Sequence, residues 1–124
     1  MEAVMIKSGE QPRYFPFGTP PNTVNNTTIV AASQPIYKES PYSTFQGIVS
    51  GTGVVTASIT IQGTNDPTTA AGVASNWVTL GIISLTGTTS ASDGFTTTAP
   101  WRFARANVTT ISGTSATVQV IMGV

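Results

Sequence analysis

At 124 residues the chain has the size of one domain, with enough length for a single two-layer core and not for two. Charged residues make up 8% of it, and five Lys and Arg balance five Asp and Glu, against about a quarter in an average domain; without a basic run there is no phosphate-neutralising footprint, so no direct nucleic-acid partner is expected. Cysteine and histidine are both absent, which removes disulfides, thiolate chemistry, Cys/His zinc sites and imidazole acid-base catalysis.

The chain begins "MEAVMIKSGEQPRYFP", without the apolar run of a signal peptide, and no stretch approaches the roughly 18 apolar residues of a membrane span. A protein made and kept in a cytoplasm, away from membranes, is the expectation. Prolines at positions 12, 16, 20 and 21 fix φ, lack the N–H of a ladder and push their preceding residues toward extended conformations. Residues 1–26 are therefore read as an extended arm, polyproline-like over 11–24 and poorly suited to helix or paired strand. Such an arm has no core of its own, so Tyr14, Phe15 and Phe17 must pack either on the domain's own sheet or in a groove of another subunit. Arg13 stands beside them as a further contact.

Beyond the arm the sequence period is two. "TTIVAAS" (27–33) and "YSTFQGIVSG" (42–51) are β candidates, the second turning at Gly51-Thr52-Gly53 into "GVVTASITIQG", where Val55, Ala57, Ile59 and Ile61 share one face. "NWVTLGIISLTG" is apolar on both faces and reads as a central strand covered twice. "PWRFARANVTTISG" opens at a proline and runs to the Ser112-Gly113 turn, from which a short hairpin is expected into the alternating strand "TSATVQVIMGV". "GTNDPTTAAGVASN" (63–76) and "GTTSASDGFTTTAP" (87–100) read as two long loops. The whole predicts an all-β fold: a single antiparallel β-sandwich, jelly-roll-like, over residues 27–124, with the extended arm before it.

Chemistry is thinly provided. Between Ser43 and Trp101 only Asp66 and Asp93 carry charge, and both sit in turn contexts where Asp accepts a backbone N–H. No catalysis, metal or cofactor is expected from them. Glycine-rich pieces such as "GTGVV" lack the lysine and helix of a phosphate loop and read as turns. Trp77 and Trp101 begin strands beside apolar residues, which favours core or interface over a sugar-stacking platform. Arg102 and Arg105, three apart in an expected strand, should face opposite sides, one of them inward or into an interface with a carboxylate or carbonyl partner. A surface built mainly of Ser, Thr, Asn, Gln and Gly suits burial against other protein, because hydroxyls cost little to desolvate once hydrogen-bonded.

"IQGTND", "NWVTLGIISLTGTTSASDGF" and "PWRFARANVTTISGTSATVQVIMGV" resemble small virion proteins of tailed bacteriophages, over roughly residues 59–124. In character these segments are most similar to capsid cement or decoration proteins. That resemblance implies a jelly-roll-like domain on the outside of a phage head, made in the host cytoplasm, acting as a homodimer or homotrimer and bridging neighbouring copies of the major capsid protein. Arg13, Tyr14, Phe15, Phe17, Trp77, Trp101, Arg102 and Arg105 are the residues expected at its interfaces. A tail- or fibre-associated sandwich and a carbohydrate-binding attachment module are the alternatives.

Overall fold

A computed structural model describes residues 13–17 and 27–124 of the chain. Its elements in order are β1 (Tyr14–Pro16), β2 (Ala31–Ala32), β3 (Ile36–Tyr37), β4 (Ser43–Ser50), β5 (Val55–Thr64), a one-turn helix α1 (Pro67–Ala70), β6 (Val78–Gly87), β7 (Ser90–Thr97), β8 (Phe103–Ser112) and β9 (Thr117–Gly123). The fold is all-β, and every strand pair is antiparallel. One sheet has the order β1-β9-β4-β7; the other has β2-β8-β5-β6, with β3 also on β8. The pairings nest around the β5–β6 hairpin: β4 lies on β7, β2 and β3 on β8, and β1 on β9.

The core forms where the inward faces of the two sheets meet. Phe45 and Val49 of β4 and Val118, Val120 and Met122 of β9 are buried with Val55, Ala57, Ile59 and Ile61 of β5, Ile83 and Leu85 of β6, and Ala104, Ala106 and Val108 of β8. The period-two alternation of β5 and β9 thus places the expected residues inside. Contact between the sheets is close: a Cβ on Gly47 of β4 would lie 2.6 Å from Ile59 Cδ1 of β5.

Residues 14–16, expected to be unpaired, form an edge strand on β9. The reason is positional. Arg13 and Val124 exchange two backbone hydrogen bonds, and Phe17 N–H donates to Val120 O at 2.9 Å; the alternation of the ladder puts Pro16, opposite Ile121, at a non-hydrogen-bonded position, where its missing N–H costs the ladder nothing. Thr27 then exchanges two further bonds with Val118, so residues 17 and 27 occupy successive hydrogen-bonded sites on the same edge. The rest of the arm lies outside the described residues.

Three other expectations change. "SASDGFTT", read as loop, is β7, paired with β4 along its full length; only Ala91 and Phe95 carry its inward apolar signal, too little for periodicity to register. β6 is an edge strand, not a central one: Ile82 is 63% exposed and Val78 46%. Part of its two-faced apolarity comes from a bulge, since Ile61 pairs with Gly81 and Gln62 with Thr79, leaving Leu80 extra and letting it pack on the core. Lastly, the Ser112-Gly113 turn is no hairpin. β8 and β9 belong to different sheets, and the connection crosses between them with Gly113 at φ +128 and Ser115 at φ 55.

Candidate partner interface

The interface candidates from the arm divide sharply. Phe17 is fully buried and stacks on Phe45 with ring centroids 6.3 Å apart, while Phe15 is half-buried against the same core. These two rings hold β1 to its own chain and do not face a partner. Tyr14 points outward, 67% exposed, and Arg13 is exposed beside it, paired with Glu39 and 5.6 Å from the Phe15 ring centroid. Tyr14 and Tyr42 flank a groove over Thr44, Thr96 and Gly123, where the absence of a side chain at Gly123 lets the tyrosine ring lie against the sheet: a Cβ there would sit 3.4 Å from Tyr14 Cδ1.

Trp101 is half-buried and lies over Gly63, its Cγ 3.1 Å from where a Gly63 Cβ would be, a position that Leu80 also approaches. Arg102 precedes β8, is exposed and lies 5.5 Å from the Phe103 ring centroid, so the expected opposition of Arg102 and Arg105 within one strand does not arise. Arg105 lies on the outer face of its sheet, because Ala104 and Ala106 take the inward positions. Its Nε donates to Gln62 Oε1 at 2.7 Å, and its guanidinium carbon is 4.3 Å from the Trp77 ring centroid. Neither arginine points into the core. Both indoles are half-buried with one face occupied, and the large rings most exposed to solvent are Tyr14, Tyr37 and Tyr42.

Both aspartates are committed locally. Asp66 caps α1: Oδ1 accepts from Thr68 N and Thr68 Oγ1, and Oδ2 from Thr69 Oγ1 and Asn76 Nδ2. The donors of Asn76, Thr68 and Thr69 hold its carboxyl well below the usual carboxylate range. Asp93 accepts from the Gly94 N–H at 2.8 Å, within β7 and not in the expected turn.

Sequence reasoning missed Lys38. It is 5% exposed, and its ammonium donates to the carbonyls of Ser40 (2.7 Å), Pro41 (2.9 Å) and Ala99 (3.0 Å), fastening the loop before β4 to the loop before β8. Burial lowers its pKa. A single lysine near a proline carries no signal of this, since two of its acceptors are local and the third is 61 residues away.

Each sheet also has an outer face, turned away from the core. Among the described residues, that of β1-β9-β4-β7 carries no charge; its side chains are hydroxyls and amides with Tyr14, Ile48 and Ile121, tied by Gln46 to Ser92 (2.9 Å) and Ser50 to Thr117 (3.2 Å). Beside them runs β6, on whose outer edge no strand of the described residues is hydrogen-bonded and whose sequence, "VTLGIISLTG", contains neither charge nor proline. The nearest cover is β7, whose Phe95 ring would lie 2.6 Å from a Cβ on Gly81. No helix among the described residues is long and apolar enough to cross a membrane. Compared with protein-family models, with curated proteins and with solved structures, the chain matches none.

Proposed function

We propose that the chain is a virion structural protein of a tailed bacteriophage, a cement or decoration protein that binds the outside of the head and bridges neighbouring subunits. Its partners are the major capsid protein and copies of itself, as a dimer or trimer. The nested strand order, with β2 and β3 counted as one interrupted strand, supports reading the fold as an eight-stranded jelly roll, two four-stranded sheets around a single hairpin axis. The observation that carries the functional reading is that, among the described residues, an outer sheet face without charge stands beside an unpaired, apolar edge of β6. An unprotected edge of ten residues is a liability in a free monomer, and a surface of hydroxyls and amides is cheap to bury against protein.

In this reading the jelly roll lies across neighbouring capsid subunits, the residues before Arg13 contact them beside the outward ring of Tyr14, and Phe15 and Phe17 fasten β1 to the chain's own body. Many copies on one shell make a modest energy per site sufficient. Co-sedimentation with heads stripped of the protein is the test. Saturable binding at a fixed ratio to the capsid subunit, reduced by deleting residues 1–12 and by Ile82→Lys, is the expected result; no binding to heads would end this reading.

A further inference from the structure

Arg105 is the one charged side chain on either outer sheet face among the described residues, and its surroundings are built. Two contacts fix the guanidinium in different directions. Gln62 Oε1 takes the Nε proton in the plane of the group, and the Trp77 indole covers one face. The two terminal nitrogens make no hydrogen bond to a described residue, and the ion pair among described residues lies elsewhere, between Arg13 and Glu39. Around the group, residues distant in sequence converge: Ser33, Gln34 and Pro35 from the β2–β3 connection, and Thr69 to Gly72 from α1 and its exit. They wall a cleft of about 330 Å³, at the small end of ligand sites.

A partly buried cation without an ion-pair partner among the described residues is costly to keep, and burial lowers the pKa of this one. A fork of N–H groups held by one in-plane acceptor and one stacked ring is pre-organised for a planar, bidentate acceptor. We infer that the Arg105 cleft is a binding site for a single carboxylate, supplied by an aspartate or glutamate side chain of a protein partner. One cation fits one carboxylate better than a phosphate dianion. The other described cations are engaged elsewhere: Lys38 by three carbonyls, Arg13 by Glu39 and Arg102 against Phe103. That the partner is a capsid subunit rests on the function proposed above; that the site takes a carboxylate does not.

The test uses the full chain labelled with ¹⁵N, following the Arg105 Nε–H and Trp77 indole N–H signals during titration with two capped peptides, Ac-Gly-Glu-Gly-NH₂ and Ac-Gly-Gln-Gly-NH₂. The glutamate peptide should give a saturable shift of both signals and the glutamine peptide none. Arg105→Lys, which keeps the charge and loses the fork, should weaken binding about tenfold, and Arg105→Gln should abolish it; unchanged backbone amide spectra away from the cleft establish that both variants are folded. Equal responses to the two peptides, or a glutamate response that survives Arg105→Gln, would overturn the carboxylate site. N-acetylneuraminic acid, titrated in parallel, separates the sources: tighter binding of the sugar than of the peptide would overturn the protein side chain as occupant. Stripped heads provide the last arm, in which Arg105→Gln should lower occupancy at least tenfold. A clear peptide response with unaltered head binding would leave the carboxylate site standing and remove the capsid as its source.

Discussion

The two flanks of the molecule solve the same problem in opposite ways. On one flank the edges of β9 and β8 are covered by the N-terminal segment, which pairs in short pieces: residues 13–17 and Thr27 on β9, then β2 and β3 on β8, with Lys38 N–H donating to Arg102 O at the end. Prolines interrupt this cover and keep it from becoming a long edge itself. On the other flank β6 presents ten residues without proline or charge, and Ile82 stands open to solvent. Among the described residues one pair of edges is covered and the other is not, so that a partner strand would find one side receptive and the other closed.

That contrast can be broken most severely at Phe17. Phe17→Ala removes a fully buried ring that ties the covering strand to Phe45, and should cost about 3–5 kcal/mol of stability, whereas Tyr14→Ala, three positions away and exposed, should stay within about 0.5 kcal/mol. Urea unfolding of the two variants measures the difference; equal small losses would mean that β1 does not hold the covered flank. Lys38→Met comes next. It leaves the carbonyls of Ser40, Pro41 and Ala99 without their donor, at about 1–3 kcal/mol, and the same unfolding experiment reads it.

The bare flank is tested without touching stability. Ile82→Lys should change unfolding free energy by no more than about 0.5 kcal/mol, because the side chain is already in water, yet it places a charge on the open edge and should abolish self-association in analytical ultracentrifugation. A variant that still associates as the native chain does would place the contact elsewhere. Smallest and most local is the pH response of the α1 cap. Since the folded-state pKa of Asp66 is depressed, its contribution is present above the ordinary carboxylate range and is lost only as pH falls through the lower folded value. The Thr68 amide should therefore stay protected from hydrogen exchange from neutral pH down through the ordinary range, and Asp66→Ala, which removes the acceptor of the Thr68 N–H, should lose that protection at every pH.

Much of the architecture is legible in the residues themselves. Val55, Ala57, Ile59 and Ile61, and Val118, Val120 and Met122, alternate with hydroxyls and amides, and alternation at period two leaves no choice but a strand with one face inside. The scarcity of charge and the absence of histidine and cysteine likewise belong to composition alone. β7 was hidden because an edge strand needs only one or two apolar residues on its inner face, and Phe95 is its single large one. β6 misled in the other direction, because a bulge at Leu80 shifts the phase in a way that no fixed period follows.

Where each side chain's partner comes from is a matter of tertiary contact. Pro16 is harmless because of its hydrogen-bonding parity on β9, a property of the pairing and not of proline. Phe17 is core and Tyr14 surface because residues three apart in an extended chain face opposite ways once a sheet exists to define the sides. Lys38 finds a carbonyl of Ala99, and Arg105 finds Gln62 and Trp77, through contacts across which sequence separation carries no information. Composition and periodicity determined a charge-poor, two-faced β protein; pairing parity and long-range contact determined which of its described edges are paired and where Arg105 is held.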